Sequence, residues 1–225
     1  MNLILSGGGD APDSRPLDQL LISLIPADKK LLYIPIAWKS GDFDGCLSWF
    51  KSVFSKLDFN NYTMWVDLNN KTLADLNEIG GIYIGGGNTY KLLHDLQETG
   101  FDKLLLQFID SGRPVFGGSA GAIIFGQTID TAAFGDDADD NSVDLADNTG
   151  FKLLGNRAIQ CHYRIGQDSE IMEYVLQKRT PIIALSERSG LYVTDNKTTT
   201  VVGFEPAYLF TDTGKSEYAV GSQLA

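Results

Sequence analysis

Histidine and cysteine are scarce in this sequence, two of each in 225 residues, and Cys46 and Cys161 are far apart with no CxxC pair. That excludes a disulfide framework and a zinc knuckle, and both thiols are expected to be buried. Positive charge is also short: 18 Lys and Arg stand against 29 Asp and Glu, a formal net charge of -11. Surfaces that bind phosphate gain affinity by concentrating Lys and Arg and releasing counterions, so nucleic acid is excluded as an expected partner. No apolar run reaches the roughly 18 residues that cross a bilayer. The start "MNLILSGGGD" lacks the basic segment, apolar core and cleavage site of a secretory signal. The expectation is a soluble, cytoplasmic protein without a membrane partner.

What is present is a chain with 43% hydrophobic residues, enough to bury a substantial core, and one domain over residues 1–225 is expected. Short apolar runs alternate with amphipathic stretches, the pattern of parallel strands joined by crossover helices. The strands predicted in the first half are "NLILSG", "KLLYIPIA", "YTMWVDL", "GGIYIGG" and "PVFGGS". Leu17, Leu20, Leu21 and Leu24 recur at helical intervals, as do Leu92, Leu93 and Leu96, and Thr72 with Asp75 suits the cap of a helix "TLADLNEI". After residue 150 strands dominate: "AIQCHYR", "PIIALSE", "GLYVTDN", "TTTVVGF" and "PAYLFT", with one helix around "QDSEIMEYVLQK". Asp195-Asn196 reads as a hairpin turn, so the mostly parallel α/β sheet is expected to end in an antiparallel extension.

Ligands of open α/β sheets bind beyond the carboxyl ends of the strands, where three glycine-rich loops fall: "SGGGD", "GGGNT" and "GGSAG". The third fits G-x-S-x-G between a strand and a helix, a turn that exposes the hydroxyl of Ser119 and turns the N–H of Ala120 toward a developing oxyanion. A nucleophile and a packing turn are the two readings of Ser119. A serine nucleophile needs a base, and the choice is narrow. His94 lies in the helical stretch "YKLLHDLQ" and reads as a partly exposed helix residue; His162 ends a strand in "IQCHYR" and is the candidate base, or else a satisfied histidine at the core edge. An acid to orient it is offered by Glu187 in "SERSG", with Asp136, after the elbow helix, as the rival. Backbone N–H groups near Gly86 and Gly87 could complete an oxyanion hole with Ala120, and Asn88 suits the cap of the following helix. Neither remaining loop has the GK[ST] of a P-loop or G-x-G-x-x-G spacing. The aspartate-rich segment after residue 130 fails as a calcium loop, because Ser142 and Asn148 fall where glycine and glutamate are required. It reads as a solvated, mobile loop.

The set "GGGNT", "GGSAGA", "CHYR" and "ALSE", spanning roughly residues 80 to 190, resembles the peptidase S51 family, which includes aspartyl dipeptidases and cyanophycinases. The resemblance implies a class I glutamine-amidotransferase-like, flavodoxin-like three-layer sandwich with serine at the elbow. It implies Ser119 as nucleophile, His162 as general base, Glu187 or Asp136 as the acid, Gly86, Gly87 and Ala120 around the oxyanion, and Asn88 near substrate. No metal and no cofactor is implied. Aspartyl specificity would need a cation, and Arg164 and Arg188 are the candidates, against a plain role in surface solubility. The expected activity is hydrolysis of short peptides, with N-terminal Asp as one substrate class. An esterase or acyltransferase using the same triad, and a silent binding protein, are the competing readings. The expected partners are a small peptide substrate and, at most, a second copy of the chain.

Overall fold

The computed structural model describes residues 1–135, 138–194 and 198–224. Its elements run β1 (Asn2–Ser6), α1 (Ala11–Ser23), β2 (Lys30–Ile34), α2 (Phe43–Ser55), β3 (Tyr62–Met64), β4 (Ile79–Ile84), α3 (Thr89–Glu98), α4 (Phe101–Asp110), β5 (Pro114–Gly118) and α5 (Ala120–Ile123). Then follow β6 (Ala158–Gln160), α6 (Asp168–Lys178), β7 (Ile182–Leu185), β8 (Ser189–Thr194), β9 (Thr199–Gly203), β10 (Ala207–Thr211), β11 (Gly214–Tyr218) and β12 (Gln223–Leu224). An eight-stranded sheet has the order β12-β9-β8-β1-β5-β4-β2-β3. Its members β1, β5, β4, β2 and β3 are parallel, while β8, β9 and β12 extend it antiparallel.

The layers follow from side-chain alternation along the central strands. Leu3, Leu5, Leu32, Ile34, Ile82, Ile84 and Val115 point into one core, shared with leucines of α3 and phenylalanines of α4. Their neighbours Ile4, Leu31, Tyr33, Tyr83 and Phe116 point into the other, against Leu17 and Leu21 of α1 and Phe50 and Phe54 of α2. Burial on both faces explains why these strands read as continuous apolar runs.

The structure corrects the expected placement of the C-terminal strands. β6, β7, β10 and β11 form a separate four-stranded sheet, order β11-β10-β7-β6. One side of it contributes Ile159, Ile183, Leu185 and Leu209 to the first core, and the other packs Ala158, Ile182, Ala184 and Phe210 on Ile171 and Val175 of α6. The alternating sequence is compatible with either sheet, because alternation specifies faces and not neighbours. Smaller corrections follow. "YTMWVDL" forms only a three-residue strand, and "TLADLNEI" a single 3₁₀ turn whose Thr72 N–H and hydroxyl both donate to the Asp75 carboxylate. Cys46 is half-buried; Cys161 is buried as expected. The Asp195-Asn196 turn lies outside the described residues, although β8 and β9 flanking it pair antiparallel. No helix of the described residues is long and apolar enough to cross a membrane.

Candidate active site

The carboxyl ends of β1, β4 and β5, side by side in the large sheet, and of β6 and β7 in the small one, converge on one place. Ser119 follows β5 directly with φ 50 and ψ -114, a conformation that non-glycine residues rarely adopt. The elbow is tight because its glycines carry no side chain: a Cβ on Gly117 would stand 2.1 Å from the Gly121 carbonyl oxygen. A Cβ on Gly121 would stand 2.6 Å from that of Ile84. The Ser119 N–H donates to the Ser6 carbonyl (3.1 Å), and the Ser119 carbonyl accepts from Ala122 and Ile123, fixing the turn to β1 and α5.

His162 lies two residues beyond β6 and also has a positive φ of 52. Its N–H donates to Gly7 O at 2.8 Å, and Tyr163 N–H donates to Leu185 O at 2.9 Å, so this segment bridges the two sheets. The ring is held between Ser119 and Glu187: Ser119 Oγ to His162 Nε2 is 2.9 Å, and His162 Nδ1 to Glu187 Oε1 is 3.2 Å. With Nδ1–H donating to the carboxylate, Nε2 is left to accept the serine proton. The His162 and Glu187 side chains are half-exposed, open to substrate and water.

The loop "SGGGD" has a role that its sequence did not disclose. A Cβ at Gly8 would lie 2.2 Å from His162 Cε1, so the imidazole rests against bare backbone, and a Cβ at Gly9 would crowd Glu187. The available signal was only that the loop follows β1 at the ligand edge. Gly8→Ala is therefore expected to push the ring off Ser119 and lower kcat/KM for any substrate by roughly 10²-fold, the cost of an ångström-scale misplacement. Steady-state kinetics beside a melting curve check this, and unchanged kinetics would mean that the ring position is not set by Gly8.

Gly86 faces the serine, its missing Cβ 3.7 Å from Ser119 Oγ. Ala120 is the first residue of α5, so its N–H has no partner within the helix. Asn88 caps α3, its Oδ1 accepting from Lys91 N–H at 2.8 Å, while its Nδ2 donates to Asp140 O at 2.9 Å. That side chain is buried, and these two bonds use one of its two amide N–H donors and its oxygen. Arg188 is likewise engaged: it pairs with Asp13 (3.3 Å) and Glu205 (3.7 Å) and lies over the Phe204 ring. Arg164 lines a cavity beside Ser119. His94 is partly exposed on α3 and contacts Asp95 at 3.1 Å.

Asp136 lies outside the described residues. Of its neighbours, Asp139 accepts from Thr89 N–H at the start of α3 (2.8 Å), and Asp140 pairs with Lys39. At Asp139 and Asp140 the aspartate-rich segment is thus tied to the start of α3 and to Lys39, while most of its described residues are exposed as expected.

Two cavities meet at Ser119, His162 and Gly87. One, about 680 Å³, is lined largely by polar groups, among them Thr89, Asp139, Gln160, Arg164 and Glu170. The other, about 470 Å³, is walled by Tyr33, Trp38, Cys46, Trp49 and Tyr83. Burial pushes the Cys161 thiol up, so the cysteine behind the serine stays neutral.

Comparison with known proteins agrees with this architecture. The model of peptidase family S51 matches residues 3–201. Peptidase E of Shewanella putrefaciens is 29% identical over 214 residues, covering 92% of this chain and 89% of the relative. Peptidase E of Shewanella amazonensis is 26% identical over 238 residues, covering 99% and 97%. Among solved structures, a putative peptidase E protein from Listeria monocytogenes EGD-e superposes with a TM-score of 0.67 at 23% identity, over 91% of this chain and 98% of that one. A peptidase from an acI-B1 Actinobacterium superposes with a TM-score of 0.76 at 17% identity, over 100% and 96%. These likenesses give the mixed α/β fold as one of the flavodoxin-like, amidotransferase type.

Proposed function

We propose that Ser119, His162 and Glu187 are the catalytic residues of this chain, which belongs to peptidase family S51. Family membership makes it a serine peptidase, a hydrolase. The observation that carries the residue assignment is the continuous contact from Ser119 Oγ to His162 Nε2 and from His162 Nδ1 to Glu187 Oε1, at 2.9 and 3.2 Å.

In this reading Ser119 Oγ attacks the carbonyl carbon of a peptide bond while His162 Nε2 takes its proton. The carbonyl electrons move to the oxygen, which is stabilised by the N–H of Ala120 and the backbone N–H groups at Gly86 and Gly87. When the tetrahedral species collapses the C–N bond breaks, and His162 returns the proton to the departing amine. Water, deprotonated by His162, then attacks the acyl ester, and Ser119 leaves with the proton. Glu187 holds the imidazole in the reactive tautomer and balances its charge.

The substrate class is short peptides. An N-terminal aspartyl preference is the finer reading, and Arg164 is the cation that would support it, since it alone of the arginines and lysines lines either cavity among the described residues. Amine release from dipeptides with Asp, Glu, neutral and basic N-terminal residues tests both levels. Cleavage abolished by His162→Ala supports the mechanism, and the ranking of N-terminal residues decides the preference. Glu187→Gln is expected to lower kcat by roughly 10³-fold with KM little changed, because orientation of the base is lost and substrate contacts are not. Near-normal kcat in that variant would hand the role of the acid to another residue.

A further inference from the structure

The two cavities that meet at Ser119 differ in chemistry, and the smaller one sets the aromatic side chains of Tyr33, Trp38, Trp49 and Tyr83 among bare glycine backbone. Trp38 at its mouth is 47% exposed, the largest side chain among the exposed hydrophobic residues. Tyr33 and Trp49 stand 6.4 Å apart along its wall, with Tyr83 6.3 Å from Trp49. Trp38 and Ser119 line the same cavity, so an apolar group seated beside the serine would cover the exposed face of the indole. The described residues of this lining include the carboxylates of Asp10 and Asp42 but no lysine or arginine. An acidic side chain there would meet like charge without a partner.

We propose that this cavity is a side-chain subsite for a large apolar residue, aliphatic or aromatic, flanking the scissile bond. The inference rests on the reading of Ser119 as nucleophile, since it is Ser119 that joins the cavity to the chemistry. It divides the work of recognition: the polar cavity with Arg164 takes the charged part of the substrate, and the ring-walled cavity takes the residue on the other side of the bond. Burying a Leu or Phe side chain there is expected to raise kcat/KM by roughly 10-fold or more over Ala.

The test uses two dipeptide series, Ala-X and X-Ala, with X as Ala, Leu, Phe, Lys or Asp, in two measurements. Wild-type kcat/KM is one; calorimetric binding of the intact peptides to the Ser119→Ala variant is the other. Leu and Phe are expected to exceed Ala, Lys and Asp at one of the two positions in both measurements. Trp38→Ala, at a half-exposed site, is expected to reduce that gain to within about threefold. Ser119-dependent cleavage without an apolar preference overturns the subsite and leaves the catalytic reading standing. A binding preference for Leu and Phe without any cleavage overturns the catalytic reading and leaves the subsite. A Lys preference equal to that for Phe also overturns the subsite, because the carboxylates and not the rings would then make the choice.

Discussion

Ser119→Ala is expected to lower kcat for amine release from a short peptide by roughly 10⁵-fold, leaving only what binding and the oxyanion donors supply. The melting temperature should stay within about 2 °C of wild type, since the lost hydroxyl bonds a half-exposed imidazole and makes little contribution to the core. Alanine also inherits the same φ of 50, so the strain of the elbow is common to both proteins. The pairing of a large kinetic effect with an unchanged fold separates a nucleophile from a packing turn. A variant that kept more than about a tenth of the activity would remove Ser119 from the mechanism.

Asp18→Asn is expected to act on stability, through pH. Asp18 is fully buried on the inner face of α1, where Ser14 Oγ donates to its Oδ2 at 2.8 Å and its Oδ1 has no partner. Burial pushes its carboxyl up from 3.8 to about 7, against the smaller lowering by Ser14. Between about pH 4 and pH 7 the folded chain therefore holds a proton that the unfolded chain has released. The folded state binds more protons, so stability falls as pH rises through this window, by about 4 kcal/mol in full and about 2 kcal/mol between pH 5 and 7. An amide does not titrate. The melting temperature of Asp18→Asn minus that of wild type should thus rise by about 5 to 10 °C from pH 5 to pH 8. Parallel melting curves would mean that Asp18 is not titrating in the folded protein.

Those two residues mark how far the sequence could be read. Ser119 was legible because G-x-S-x-G has a mechanical meaning between a strand and a helix, and His162 because a chain with two histidines offers little choice. Glu187 could be found because it follows an apolar strand at the ligand edge. Asp18 was not legible: the leucine spacing identified α1, but polar residues on such a helix are expected outside, and Ser14 and Asp18 lie on the buried face. The engagement of Arg188 by Asp13 and Glu205, and of Asn88 by the backbone of Asp140, depends on contacts between distant segments that local pattern does not encode. The same holds for the second sheet, whose strands were recognised but whose partners were not.

The most direct test of the central claim is intact-mass analysis after treatment with a fluorophosphonate, which transfers a phosphonyl group to an activated serine and releases fluoride. The prediction is one adduct per chain, mapped by peptide sequencing to Ser119 and absent from both Ser119→Ala and His162→Ala. An enzyme that cleaves peptides yet takes no adduct, or takes it on another residue, would contradict the account.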